Sequence, residues 1–70
     1  MDLSIIKQRR VLLGITQQDL SDFSGVGLRT IRQMEAGESN PSIETLSKIL
    51  DTLGMEIDFK IKGMNKIENV

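Results

Sequence analysis

Leu28, Arg29, Arg32 and Gln33 have the side chains and the spacing to read the edges of nucleic-acid bases. At about 100° per residue they fall on one side of a helix, while Thr30, Ile31 and Met34 fall on the other. The apolar side must pack inward, which turns both guanidinium groups and the amide outward together. Arg matches the paired acceptors of guanine in the major groove, Gln matches the donor and acceptor of adenine, and Leu28 can lie against a thymine methyl. The plain alternative is that two arginines and a glutamine merely solvate an exposed helix. What weighs against it is the place of this helix in the chain.

The helix, expected from about Leu28 to Ala36, follows another expected from about Gln17 to Ser24. Gly25-Val26-Gly27 makes a tight joint between them. Two helices joined by a short, Gly-containing turn form the skeleton of a helix-turn-helix, whose second helix enters the major groove. Thr16 is placed to cap the first of the pair, with Asp19 three residues on completing a capping-box-like pattern. Gly25 suits a turn position that requires positive φ. Upstream, Ile6, Arg10 and Leu13 share one face of a helix expected over about Ser4 to Leu13, which Gly14 ends. Downstream, Leu46, Ile49, Leu50 and Leu53 have core spacing on a helix from about Ile43 to Leu53, which Gly54 stops.

The order of Lys7-Gln8-Arg9-Arg10, Gly14-Ile15-Thr16-Gln17, Leu20, Gly25-Val26, Ile31, Glu35-Ala36-Gly37, Asn40-Pro41-Ser42, Leu46 and Leu53-Gly54 resembles the Xre, or lambda-repressor-like, family of helix-turn-helix proteins. The resemblance covers about residues 4 to 54. It implies a compact, mainly α bundle of four or five helices that binds operator DNA as a dimer. It also implies residue roles. Gln17, in a helix first turn where free N–H groups favour a phosphate, clamps the DNA backbone. Arg10 and Glu35 form a partly buried salt bridge between the first helix and the reading helix. Arg10 has a phosphate contact as its alternative, and that role is assigned instead to Arg9. Such a pair favours specific orientation more than net stability. Asn40 and Ser42 either contact phosphates or serve only as turn and cap residues. Glu38 is acidic where relatives are often basic. Gly27 stands where relatives usually have Ser or Thr, so one hydroxyl contact is missing.

Composition limits what else the chain can do. Seventy residues support one small core, and Cys and His are both absent. The usual zinc ligands, the usual general base and the Ser-His and Cys-His pairs are therefore missing. Neither an enzyme nor a metal or cofactor is expected. No apolar run approaches ~18 residues, so no membrane span is expected. Met1-Asp2-Leu3-Ser4 lacks a basic region followed by an apolar run, so no signal peptide is expected and the cytoplasm is the default. Nine basic and ten acidic residues give a net charge of −1. Lys7, Arg9, Arg10, Arg29 and Arg32 nevertheless lie on or near the proposed DNA face. Weak non-specific binding and a reliance on dimerisation are expected.

Residues 55 to 62, Met-Glu-Ile-Asp-Phe-Lys-Ile-Lys, alternate apolar and charged without a break. That is the pattern of a half-buried strand. The chain offers it no partner strand, and a lone edge with one apolar face is unstable. Antiparallel pairing with a second copy solves this. With Phe59 opposite its own copy, Asp58 faces Lys60 and Glu56 faces Lys62. Slipped registers set like charges together. The expected dimer residues are Met55, Ile57, Asp58, Phe59, Lys60 and Ile61. The alternative is a fifth helix, but a helix would scatter these apolar residues around its circumference.

A four-helix domain of this kind followed by such a strand resembles the Hip-type antitoxins. That resemblance implies an intermolecular two-stranded lid, repression of the protein's own operon, and a kinase-type toxin as partner. The expected organisation is therefore a DNA-binding domain over 1–54, a dimerisation strand over 55–62 and a flexible tail over 63–70. Two other classes stay open: a stand-alone phage-type regulator, and a protein-interaction module that keeps the fold without binding DNA. Gly27, Glu38 and the acidic total favour the last; Gln17, Arg29, Arg32 and Gln33 count against it.

Overall fold

The computed structural model describes residues 2–62. Four helices follow in order: α1 (Ser4–Leu12), α2 (Gln17–Ser24), α3 (Leu28–Glu35) and α4 (Ile43–Thr52). The tail expected at 63–70 lies outside the described residues. α2 packs against both α3 and α4, and α1 packs against α3.

The core follows from the apolar spacing on each helix. Ile6, Leu20, Val26, Ile31, Met34, Leu46, Ile49, Leu50 and Leu53 form one buried cluster. α4 supplies Leu46, Ile49 and Leu50, and Leu53 just beyond its end continues the same stripe. Full burial of a side chain of this size is worth about 1.5–3 kcal/mol, so loss of any one would be felt in so small a domain. Leu13 departs from expectation. It shares a helical face with Ile6 and Arg10, but it lies past the last residue of α1, where the chain turns away, and it is 44% exposed.

The joints are fixed by caps. The Thr16 hydroxyl accepts the Asp19 backbone N–H at 3.0 Å, and the Asp19 carboxylate accepts the Thr16 N–H at 2.9 Å. This capping box sets the start of α2. Gly25 ends α2 with a φ of 76°, a left-handed conformation that a Cβ would strain. Two serines hold the turn that follows. The Ser21 hydroxyl donates to the Val26 carbonyl at 2.6 Å, and the Ser24 hydroxyl accepts the Val26 N–H at 3.1 Å.

α4 ends in a hydrogen-bonded reversal. The Gly54 N–H donates to the Asp51 carbonyl and the Met55 N–H to the Leu50 carbonyl, with Gly54 at a φ of 70°. This turns the chain so that Met55 and Ile57 pack on the core. From Met55 to Ile61 the described chain is neither helix nor strand. The fifth helix is thus not formed. The strand expected over 55–62 is not formed within one chain either, because a ladder needs a neighbouring edge and no described segment supplies one.

Candidate nucleic-acid interface

α3 is held by its inner face and free on its outer one. Ile31 is fully buried and Met34 is 3% exposed. On the outer side Arg29 and Arg32 are exposed, and Leu28 and Gln33 are half-buried beside them. Among the described residues, Arg29, Arg32 and Gln33 have no side-chain hydrogen-bond partner, and the only ion pair is that of Arg10 with Glu35. Their donors are therefore uncommitted among the described residues, and a ligand can take them without first breaking a contact there.

The end of α3 is anchored differently. Glu35, its last residue, receives two hydrogen bonds from Arg10, from Nε at 2.7 Å and from Nη2 at 2.9 Å. Gln17 Nε2 donates to the same carboxylate at 3.0 Å. Arg10 Nη1 donates to the Ile15 carbonyl at 2.8 Å, so the guanidinium is satisfied on the side facing the chain. Among the described residues no buried side-chain nitrogen or oxygen lacks a partner. The network joins α1, the first turn of α2 and the last turn of α3 at one carboxylate. Burial disfavours the charged form of Glu35, but hydrogen bonds from Arg10 and Gln17 and the charges of Arg10 and Lys7 outweigh it. The carboxyl is held below its ordinary range. The hydrogen bond to Glu35 raises Arg10 in turn, against the cost of burial.

The network changes the role read for Gln17. Gln17 opens α2 and is half-buried, leaning toward Glu35 rather than standing free. One amide hydrogen is committed to Glu35, and the other, with the amide oxygen, is left for a phosphate.

Arg9, expected at the DNA backbone, is half-buried, and its Nε donates to the Leu53 carbonyl at 2.9 Å. Adjacent residues on a helix diverge by about 100°, so Arg9 and Arg10 cannot share a target. Arg10 faces Glu35, and Arg9 reaches the end of α4. There a cation meets a carbonyl that the helix itself leaves unpaired.

In the loop between α3 and α4, Asn40 is exposed. Ser42 is a cap: its hydroxyl accepts the Thr45 N–H at 3.2 Å and lies 3.1 Å from the Thr45 hydroxyl. Gly27 caps α3 with an ordinary φ of −58° and no side-chain hydrogen bond. A Cβ built there meets nothing within 4 Å. Sequence reasoning missed the Ser21 and Ser24 clamps and the Gln17–Glu35 bond. Serines in the last turn before a helix-ending Gly were the available signal for the clamps. The Gln17–Glu35 bond had none, because it depends on how α2 and α3 are packed.

The Helix-turn-helix family model matches residues 6–60. The chain belongs to this family. Its form is the Xre, lambda-repressor-like one. An HTH-type transcriptional regulator, YonR, derived from the SPbeta prophage of Bacillus subtilis, is 34% identical over 58 residues, which is 83% of this chain and 54% of that protein. An HTH-type transcriptional regulator of Haemophilus influenzae is 47% identical over 45 residues, 64% of this chain and 46% of that one. The cryptic phage CTXphi transcriptional repressor RstR of Vibrio cholerae is 34% identical over 53 residues, 76% of this chain and 47% of the repressor. This helix-turn-helix chain thus spans about half the length of these bacterial relatives. No solved structure matches significantly. No helix among the described residues is long and apolar enough to cross a membrane.

Proposed function

We propose that this helix-turn-helix chain is a sequence-specific DNA-binding repressor of transcription that works as a homodimer in the cytoplasm, by binding and without catalysis. One observation carries the reading. α3 follows the α2 turn with its inner face buried and its outer donors, on Arg29, Arg32 and Gln33, uncommitted. Leu28 adds an apolar contact beside them. The first turn of α2, the spare amide hydrogen of Gln17 and the exposed Asn40 supply backbone contacts that position the domain. Dimerisation comes from residues 55 to 62, paired antiparallel about Phe59. Its support is the self-complementary charge order and the burial of Met55 and Ile57 on the bundle side.

Two roles fit such a repressor. The alternation over residues 55 to 62 favours an antitoxin with a kinase-type toxin as partner. The prophage and phage names of two relatives favour a phage-type regulator. Copurification of a kinase-type protein encoded beside this chain separates the two.

Binding measured by fluorescence anisotropy tests the DNA reading, using an operator selected from random duplexes. Arg29→Ala or Arg32→Ala should cost ~1–3 kcal/mol on the selected operator and much less on unrelated DNA. Equal weakening on every duplex makes the residue a phosphate contact. No loss on any duplex overturns the DNA role and leaves the protein-interaction module.

A further inference from the structure

Met55 and Ile57 pack against the core, so the apolar edge of residues 55 to 57 faces the bundle. Phe59 and Ile61 continue that edge but are 79% and 70% exposed. Beside Met55 runs an open groove lined also by Ile5, Gln8, Arg9 and Leu12. Ile5 is 56% exposed and Leu12 76%. α1 therefore presents apolar side chains that the described chain leaves uncovered. The chain's own Ile61 is a poor cover, since an extended segment carries it roughly 20 Å past Met55.

We infer that this groove on α1 receives Ile61 of the partner subunit in the homodimer. The inference rests on the antiparallel pairing about Phe59 proposed above. In that register Ile61 of the partner subunit stands opposite Ile57, on the same face, and diagonal to Met55 at about 7–8 Å. The antiparallel direction brings it back to the groove that the chain's own Ile61 has left behind. Charge order selects a second copy as the occupant. Asp58 faces Lys60 of the partner subunit and Glu56 faces Lys62 of the partner subunit, so both apolar edges are delivered in register. Ile5 and Leu12, which the described residues leave uncovered, become interface residues.

The full chain has no cysteine, so introduced thiols report without background. Phe59→Cys alone reads the strand pairing, because the two thiols meet at the axis. A mixture of Leu12→Cys and Ile61→Cys chains reads the groove, because only different subunits can be joined. With a short bis-maleimide, covalent dimer should form in both experiments and in neither Leu12→Cys nor Ile61→Cys alone. Covalent dimer from Phe59→Cys but none from the mixture overturns the groove assignment and leaves the pairing intact. No covalent dimer in either, with the wild-type chain a monomer by sedimentation, overturns the pairing itself. Leu12→Glu supplies an independent reading, since so exposed a position should leave the helical signal unchanged. It should weaken the dimer by roughly tenfold or more, while Val11→Glu, outside the groove, leaves the dimer unchanged. Equal effects of the two substitutions overturn the inference.

Discussion

The helix-turn-helix and the segment after Gly54 use apolar and charged residues in opposite ways. In α2 and α3 Leu20, Ile31 and Met34 are buried within one copy, with Phe23 left exposed, and the buried ionic groups are paired at Glu35. The outer donors of α3 and the second amide hydrogen of Gln17 are left open among the described residues. In residues 55 to 61 the burial is half complete. Met55 and Ile57 are half-buried against the core, while Phe59 and Ile61 are exposed beside the charged residues of the same alternation. One region holds its core within its own chain and presents donors to a polar ligand. The other leaves half of its apolar edge exposed, and the proposed dimer would bury it. The difference separates two kinds of fragility, one of the fold and one of the assembly.

The largest expected effect falls on the assembly alone. Phe59→Asp should remove about 3–6 kcal/mol from dimerisation, counting one buried ring from each copy. Because the ring is exposed in a single copy, the melting temperature of the dissociated chain should barely change. Sedimentation and thermal melts at low protein concentration check both halves. A well-folded dimer of this variant would place the interface on the helices. Lys60→Glu should cost a smaller amount, about 0.5–1 kcal/mol per facing pair, and adding Asp58→Lys should restore much of it.

Glu35→Ala tests the opposite fragility. It leaves the Arg10 guanidinium buried without its carboxylate, which should cost the fold about 3 kcal/mol in any state of assembly. Thermal melts of dilute chain read this directly. The same site predicts an acid limb. Glu35 is held below its unfolded value of about 4.3, so its contribution is fully present above that pH and is lost as pH falls through the lower, folded value. Melts of the wild type should drop as pH falls below the unfolded value, and those of Glu35→Gln should drop less. Arg10 is raised, so its contribution persists across that whole window and fades only in strong alkali.

The smallest effect sharpens the recognition side. Gly27 has an ordinary backbone conformation and open space around it, so Gly27→Ser should fit without strain. A serine cap there should add only about a few tenths of a kcal/mol to stability. If the new hydroxyl also meets a phosphate, affinity should rise similarly on the selected operator and on random DNA. A gain confined to the operator would show that position 27 influences base reading.

The helices were legible in the sequence because their signals are local. Apolar spacing, the Thr16 and Ser42 caps and the glycines at 14, 25 and 54 set their places to within a residue. The outward side of α3 followed from the same periodicity. What could not be read was which distant group a long polar side chain would reach. Arg9 was expected at phosphate and reaches the Leu53 carbonyl, while Gln17 shares Glu35 with Arg10. Both outcomes depend on the packing of α1 and α2 against their neighbours. Leu13 shows a similar limit, since helical phase gives its direction but not whether a neighbour lies there.

The divergence of Arg9 and Arg10 has a consequence for operator architecture. Arg9 ties α1 to the exit of α4, from which residues 55 to 61 leave, and Arg10 ties it to the last residue of α3. In the proposed dimer a single short helix would therefore act as a ruler between the two-fold axis and the reading surface. Repressors of this type address successive half-sites about one helical repeat, roughly 34 Å, apart. With α1 braced at neighbouring residues, that separation becomes a fixed property of the protein, and operators with one base pair inserted between half-sites should be rejected even when every contacted base is correct.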